Sequence, residues 1–376
     1  MAEGTLVPAW SDRLAAWLAA NRQKLLVALT LSVASEFVAW AVAAAYGYWS
    51  RGAALGLRSY CLWDCGWYAG IVRAGYAAAP AEHRAGDAAN WAFFPLHPLL
   101  AGAVHRLTGL TPEESLLVVG SLLLPVAIFL FIALLEAHEI DLDPWLAGLL
   151  VAFNPESLYA HTGYTEPLYF ALCAGALLAL QRDRWLLAGL LGAAGSATRL
   201  VGAFLVVPML ARLVRPPAPA ALLDRLLAIA LVPLGVALFG WHLYGLSGDL
   251  LGFLHIQIAW DHVLQNPLLV WLRAIWHFGW NQLLAAAAVW GLCGALYLCL
   301  RRMVGYGLFL ALATLLPLST TVISLPRYIF WQPVFLVGLA MALSERPAVT
   351  PFLLPLFVAG NLLMSVAWLS LRIIAL

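Results

Sequence analysis

Apolar runs of roughly 20 residues recur along the chain, the length at which an α-helix crosses a hydrocarbon core of about 30 Å. Leu25 to Tyr46 is the first. It is longer than the apolar core of a signal peptide and reads as a retained anchor, although its Ala-rich end would also suit cleavage. Upstream, Trp10, Leu14, Trp17 and Leu18 recur on one side of a helix capped by Ser11 or Asp12 and followed by Arg22 and Lys24. That pattern predicts a separate amphipathic helix lying on the membrane surface. Thr111-Pro112-Glu113-Glu114 combines a capping residue, Pro at the first helical position and Glu three residues after the cap, so a second span is expected over 113–132. Further spans are expected over 145–160, 167–181, 222–245, 282–300, 304–318, 328–344 and 350–371.

Segment 49–112 is too polar to cross and too aromatic for a disordered linker, and predicts short helices lying along a membrane face. Segment 246–281, with Trp260, Trp271, Trp276 and Trp280, reads as a solvated loop with aromatic anchors. The stretch 185–211 is apolar, yet Arg182 and Arg184 precede it and Arg212, Arg215 and Arg225 follow it. Short positive loops favour the cytoplasm, and a single crossing would put one cluster on the wrong side. A re-entrant hairpin with legs 185–197 and 200–211 and Arg199 near its tip makes both clusters cytoplasmic, together with Arg301-Arg302 and Arg346. The same assumption gathers the segments around Asp64, around His161 to Glu166, from 246 to 281 and around Arg327 on the opposite face. Pro216-Pro217-Ala218-Pro219 reads as a short rigid cytoplasmic turn, and the chain as one membrane domain over 1–376.

Composition agrees: 64% of residues are hydrophobic and only 10% charged, where a soluble domain carries about 25%. With a net charge of +1 and Lys24 as the sole lysine, there is no basic stripe to neutralise a nucleic-acid backbone. The five cysteines lack zinc spacing. Cys173, Cys293 and Cys299 sit in apolar runs; Cys61 and Cys65 would share a helix face and are expected as free thiols rather than a disulfide.

Trp63-Asp64 stands in LWDCGWYAGIVRAGY with Trp67 and Tyr68 close by. An interfacial aromatic belt with a solvated aspartate is one reading. The other is a carboxylate whose aromatic neighbours strip water from it and make it a stronger base, suited to deprotonating a sugar hydroxyl. The run Asn90 to Pro98, with His97, is either an aromatic membrane anchor or a rigid platform for a sugar ring or an isoprenoid chain. His161, Tyr164 and Glu166 lie in a short polar connection that needs polar groups to satisfy its own backbone, and Glu166 before Pro167 also suits a helix dipole. Charge inside a bilayer is costly enough to suggest function, which singles out Glu36, Arg199 and Arg327. Arg327, followed by Tyr328, could hold a phosphate in its guanidinium fork, and no partner for Glu36 is legible. Asp249, His255, Asp261 and His262 share a loop without recognised ligand spacing, so no metal site is expected there.

The pieces LWDCGWY followed by GY, AFFPLHPLL, GYTEPLYFAL, RWLLAGLLGAAGSATRLVG and LPRYIFWQPVFLVGLA occur in an order that resembles the bacterial branch of the PIG-V mannosyltransferases, members of the GT-C superfamily of membrane glycosyltransferases. The resemblance spreads from residue 62 to about 340. It implies an all-α GT-C type bundle with extracytoplasmic interfacial helices. It also implies an inverting transfer of a sugar, usually mannose, from a polyprenyl-phosphate donor to a lipid-linked or glycan hydroxyl, without nucleotide sugar, cofactor or required metal. The family's catalytic aspartate in the first extracytoplasmic loop falls on Asp64, and its usual tyrosine in the FFPLYP piece is His97 here. Eukaryotic members act on glycosylphosphatidylinositol precursors. The expected enzyme sits in a bacterial cytoplasmic membrane with its N-terminus cytoplasmic and its active site outside. Its donor tail would lie among the spans and membrane lipids, and the phosphate would meet Arg327, with Arg199 as a second candidate. Trp63, Trp67, Tyr68, His97, His161, Tyr164, Glu166 and Tyr328 complete the substrate-binding set. A transporter or lipid flippase is the rival, since it too keeps buried charges facing a cavity, but it predicts two related halves with broken helices at matching positions. A scaffold protein would explain neither the buried arginine nor the gathering of charge on one face.

Overall fold

The computed structural model describes residues 10–83, 86–213, 219–276 and 279–371; Arg84, Arg215 and the turn residues Pro216, Pro217 and Ala218 lie outside them. Helix α1 (Trp10–Arg51) runs unbroken for 42 residues, so the surface helix and the first span expected as separate elements are one. No Gly or Pro lies between Trp10 and Tyr46 to interrupt its hydrogen-bond ladder. A 3-10 turn (Leu57–Tyr60), α2 (Asp64–Ala74), a two-stranded antiparallel ribbon of β1 (Ala81–His83) and β2 (Gly86–Ala88), and α3 (Leu96–Thr108) fill the first large loop. The described residues hold the short helices expected of this segment. Helix α4 (Pro112–Ala137) starts at the anticipated capping box, with Thr111 and Glu114 each satisfying the other's backbone N–H.

Helix α5 (Pro144–Ala152) is much shorter than the span expected over 145–160. Asn154 stops it: the side chain turns back to the Leu150 and Val151 carbonyls and accepts from the Glu156 N–H, and Pro155 disfavours helix at the residue before it. A connection with a 3-10 turn (Ser157–His161) leads into α6 (Glu166–Gln181), and α7 (Trp185–Ser196) follows. A 3-10 segment (Leu200–Leu205) runs on into α8 (Val206–Arg212). Helices α9 (Pro219–Leu231) and α10 (Leu234–Ser247) occupy the span expected over 222–245, bent by 43° where Pro233 removes a donor. The second large loop holds α11 (Gly252–His255) and α12 (Pro267–Trp276). Helix α13 (Trp280–Leu300) fills its expected span, and α14 (Val304–Leu318) covers the residues expected of one but belongs to the shorter apolar helices. The span expected over 328–344 is split into α15 (Leu325–Phe330) and α16 (Pro333–Glu345) because Gln332 precedes a proline and turns extended. Helix α17 (Thr350–Leu369) ends the described chain.

Four helical segments among the described residues are long and apolar enough to cross a membrane, five if the bent α9–α10 pair counts as one, and six further apolar helices are shorter. Large side chains such as Phe37, Trp241 and Phe352 face outward, as hydrocarbon contact requires and water would penalise. The molecule is an all-α multi-pass membrane protein whose only strands, among the described residues, are the short ribbon.

Charge separates to two ends of the bundle. At one, Lys24 pairs with Glu136 at 2.7 Å, Gln181 donates to the Ala137 carbonyl, and His138 meets the Tyr306 hydroxyl at 2.8 Å. Arg212 donates to Gln181 at 2.9 Å, and both Arg212 and Arg225 approach Asp183. Since Asp183 precedes α7 and Arg212 ends α8, the intervening segment returns to the end it left. Its tip carries Arg199, which reaches Glu166 at the far end of α6, about 24 Å away at 1.5 Å per residue. The expected hairpin is therefore present, with a 3-10 segment opening its second leg. Glycines let it pack: a side chain at Gly202 would collide with the Gly195 backbone, and one at Gly189 with the Ala228 carbonyl.

Candidate active site

Asp64 is the first residue of α2, where the helix dipole favours a carboxylate. The preceding Trp63 has φ 54°, a conformation that non-glycine residues adopt only when the surroundings impose it. The surroundings here are a staple: Cys61 and Cys65 form a disulfide across the Trp63-Asp64 pair, with Cα atoms 5.2 Å apart, which overturns the expectation of free thiols. The Asp64 N–H donates to the Tyr164 hydroxyl at 2.9 Å. Gly163, at φ 73°, packs against Cys65 so closely that a Cβ would meet its sulfur at 2.8 Å.

Glu166 opens α6 and is 1% exposed. One of its oxygens, Oε1, receives Arg199 Nη1 at 2.6 Å and lies 3.3 Å from Arg327 Nε. Arg327 Nη1 in turn stands 3.7 Å from Asp64 Oδ2. An acid–arginine array thus runs Arg199, Glu166, Arg327, Asp64, drawn from the hairpin tip, α6, α15 and α2. Its outward member is Asp64, whose side chain is 35% exposed against 8% for Arg327. Desolvation by the surrounding protein raises the Asp64 pKa above the ordinary carboxylate value; the Arg327 charge opposes this rise and the Glu166 charge adds to it.

Tyrosine rings cover the guanidinium faces. Arg327 lies 4.9 Å from the Tyr159 centroid, 5.1 Å from Tyr164 and 5.2 Å from Tyr328. Arg199 lies 4.4 Å from Tyr328 and 5.6 Å from Tyr169, so Tyr328 stands between the two cations. Arg327 and Asp64 share a local device, since α15 also begins after a non-glycine residue of positive φ, Ser324 at 65°.

Tyr68 stands edge-on to Phe93, His97 and Tyr164. Trp67 stacks on Phe93 with centroids 5.7 Å apart, and both meet Trp260 from the second large loop, so an aromatic wall adjoins the array. His97 is buried and its Nε2 lies 2.9 Å from the Gly163 carbonyl, which can only accept. Nε2 therefore carries the hydrogen, and burial lowers the ring's pKa to about 4, so the imidazole is neutral. It fastens α3 to the Tyr164 connection.

His161 faces the other way. Its Nδ1 lies 2.9 Å from Glu36 Oε2 and its Nε2 2.9 Å from Ser35 Oγ, both on α1, and Ser121 donates to the same glutamate. Glu36 thus finds the partner that sequence did not disclose, and the structure places His161 with α1 rather than in the array. Asp249 meets His255 at 2.8 Å and His262 meets Gln257; among the described residues no group of three or more His, Cys, Asp and Glu gathers as metal ligands.

Three members were missed. Tyr159 and Tyr169 supply ring faces to the arginines, and their visible signal was the five-residue spacing Tyr159, Tyr164, Tyr169. Glu156, 4% exposed, belongs to the same electrostatic cluster: burial pushes its pKa up to about 8, Arg327 pulls it down and Glu166 raises it.

Fold and site define a multi-pass helical membrane protein with a buried acid–arginine array beside an aromatic wall. The chain is similar to GPI alpha-1,6-mannosyltransferase 2 of Rattus norvegicus, 31% identical over 151 residues that cover 37% of this chain and 29% of that protein. The match therefore spans less than a third of that relative's length. No family model matches the chain, and no solved structure matches it.

Proposed function

We propose that this protein is an inverting membrane glycosyltransferase of the PIG-V type, moving a sugar, with mannose the first candidate, from a polyprenyl-phosphate donor to a lipid-linked or glycan hydroxyl. The observation that carries the reading is the array itself: a partly open aspartate beside the Arg327 guanidinium, with Arg199 held behind it by Glu166. The likeness to a mannosyltransferase supports the transferred sugar class. In this reading the acceptor hydroxyl gives its proton to Asp64, its oxygen bonds to the anomeric carbon, and the carbon–oxygen bond to phosphate breaks with its electron pair going to phosphate. One base suffices because inversion is a single displacement. Arg327 holds the developing phosphate charge, and the Trp67, Phe93 and Trp260 wall receives sugar or isoprenoid surface.

The site's end of the bundle is extracytoplasmic in this proposal, and the arginine-rich end, with the start of α1, cytoplasmic. The Cys61–Cys65 disulfide supports that side, since disulfides persist in oxidising compartments. The test is incubation of the purified protein in lipid with radiolabelled polyprenyl-phosphate-mannose and candidate acceptors. Product is expected from the native chain and loss of roughly 100-fold or more from Asp64→Asn. Transfer at the native rate by that variant removes Asp64 from the role, and vesicle transport without product supports the flippase instead.

A further inference from the structure

Resting on the reading of a lipid-phosphate donor, a finer consequence comes from how unequally the two arginines are held. Arg199 makes a short charged hydrogen bond to Glu166 Oε1. Arg327 makes none of that quality: its contact with Asp64 is 3.7 Å, beyond hydrogen-bond reach, and its Nε, 3.3 Å from Glu166, has no hydrogen-bond partner among the described residues. Yet Arg327 is only 7% exposed, and aromatic rings close its faces. Its N–H edges face Glu166, Asp64 and Tyr328, and the long contact to Asp64 is the direction an incoming acceptor can take.

Two cations in the array already face two carboxylates, Asp64 and Glu166, so an arriving phosphodiester brings an uncompensated negative charge. We infer that the donor phosphate strengthens the base: by taking the Arg327 edge it removes Asp64 from its ion pair and sets a second anion beside it, so that Asp64 binds a proton more strongly still when the donor is in place. Arg199 stays with Glu166 and holds the array's geometry. An empty site thereby presents a weaker base to water or a stray hydroxyl.

The groups around the array leave two that respond, Asp64 and Tyr328. Tyr68 on its own helix and Tyr159 and Tyr164 on the connection are pushed upward by burial, so they keep their protons at neutral pH. His97 on α3 is neutral, and burial lowers the His262 pKa on the loop beside Arg327. Asp261 adjoins His262, and Tyr328 lies between the arginines; burial pushes its pKa up, but the Arg327 and Arg199 charges bring it below the ordinary tyrosine value, so it is the other responsive group, which Asp64→Asn separates from Asp64. Glu166 and Glu156 are the further acids of the cluster, the first held by Arg199 and the second with its pKa raised by burial.

The experiment titrates the full chain in lipid nanodiscs with an isoprenyl methyl phosphodiester, which carries one fixed charge and no exchangeable proton. Heats measured in buffers of different ionisation enthalpy count the protons taken up. The expected result is fractional proton uptake that grows as pH is lowered below neutrality in the native protein, leaving most Asp64 ionised to act as base, and binding without uptake in Asp64→Asn. In transfer assays, the acid limb for the acceptor at saturating donor should lie roughly one pH unit or more above the acid limb for the donor. Binding without uptake in the native chain, or uptake that survives in Asp64→Asn, overturns this coupling even if sugar transfer is intact. Uptake that depends on Asp64 without any sugar transfer keeps the coupling and sinks the transferase reading.

Discussion

Glu166 is a buried anion between two cations, and its value to the protein follows from what its loss would leave. Replacing Glu166 with Gln keeps the shape but leaves Arg199 and Arg327 facing each other, both nine-tenths buried in side-chain terms, with only Asp64 nearby to balance them. Breaking such a buried pair costs roughly 3–5 kcal/mol, so Glu166→Gln should unfold at a clearly lower temperature in detergent than the native chain, as followed by circular dichroism. Glu156 makes the opposite kind of prediction. Its folded pKa of about 8 lies above the ordinary 4.5, so the protonated form is favoured in the fold. Its contribution is complete below about pH 4.5 and fades as pH rises through 8. Glu156→Gln should flatten that decline, and a midpoint that falls as steeply in the variant as in the native chain would count against it. At this scale the sequence named Asp64, Glu166, Arg199 and Arg327 but not Glu156, because Arg199 and Arg327 stand out in apolar runs while Glu156 sits among polar neighbours of a turn. It could not name Tyr159 or Tyr169, since a tyrosine in an apolar run looks like core, and only the fold shows which rings meet a guanidinium.

Elements deliver these residues through three breaks in regular structure. The hairpin tip puts Arg199 in an extended conformation, φ −155° and ψ 143°, between α7 and a 3-10 segment. The entrances to α2 and α15 each pass through a positive φ. A methyl group at Gly202 would push the hairpin legs apart, since the Gly195 backbone it meets cannot rotate away. Gly202→Ala should therefore destabilise the protein by about 1–3 kcal/mol and lower sugar transfer by displacing Arg199, while Gly245→Ala, whose Cβ meets nothing within 4 Å, should leave both unchanged. The hairpin was legible because arginines must stay on one side of a membrane, a rule that reads the flanks and not the apolar stretch itself. The disulfide was not legible. A four-residue spacing in a helix separates two cysteines by one turn, and here α2 starts only at Asp64, so Cys61 bends back toward Cys65 from outside the helix. The helix ends at Asn154, Pro233 and Gln332 were each signalled by a proline beside or at them, outweighed in the sequence reading by the apolar run around it.

The whole molecule has two charged ends, and the reaction proposed for it depends on which end faces out. Hydropathy alone does not count the crossings, because among the described residues only four or five helical segments have the length of a span while six apolar ones are shorter. What fixes the relation of the ends is side-chain contact: Lys24 with Glu136, Gln181 with Arg212 and His138 with Tyr306 at one, Asp64, Glu166, Arg199 and Arg327 at the other. The described structure therefore ties the Asp183 and Arg212 loops to a single side whichever way the bundle sits. Single cysteines placed at Asp183, Arg212 and Glu345 in a background where Cys173, Cys293 and Cys299 are alanine should react alike with a membrane-impermeant maleimide. A cysteine at Gln265 near the site end should react oppositely. In sealed right-side-out vesicles the proposal expects the Gln265 position to be labelled and the other three protected. Labelling at Arg212 but not at Asp183 would mean that the hairpin crosses the bilayer in solution, and Arg199 could not then stand beside Glu166. The reverse pattern throughout would keep the array intact and turn it to the cytoplasm, where a polyprenyl-linked sugar awaiting use on the outer face would be out of reach.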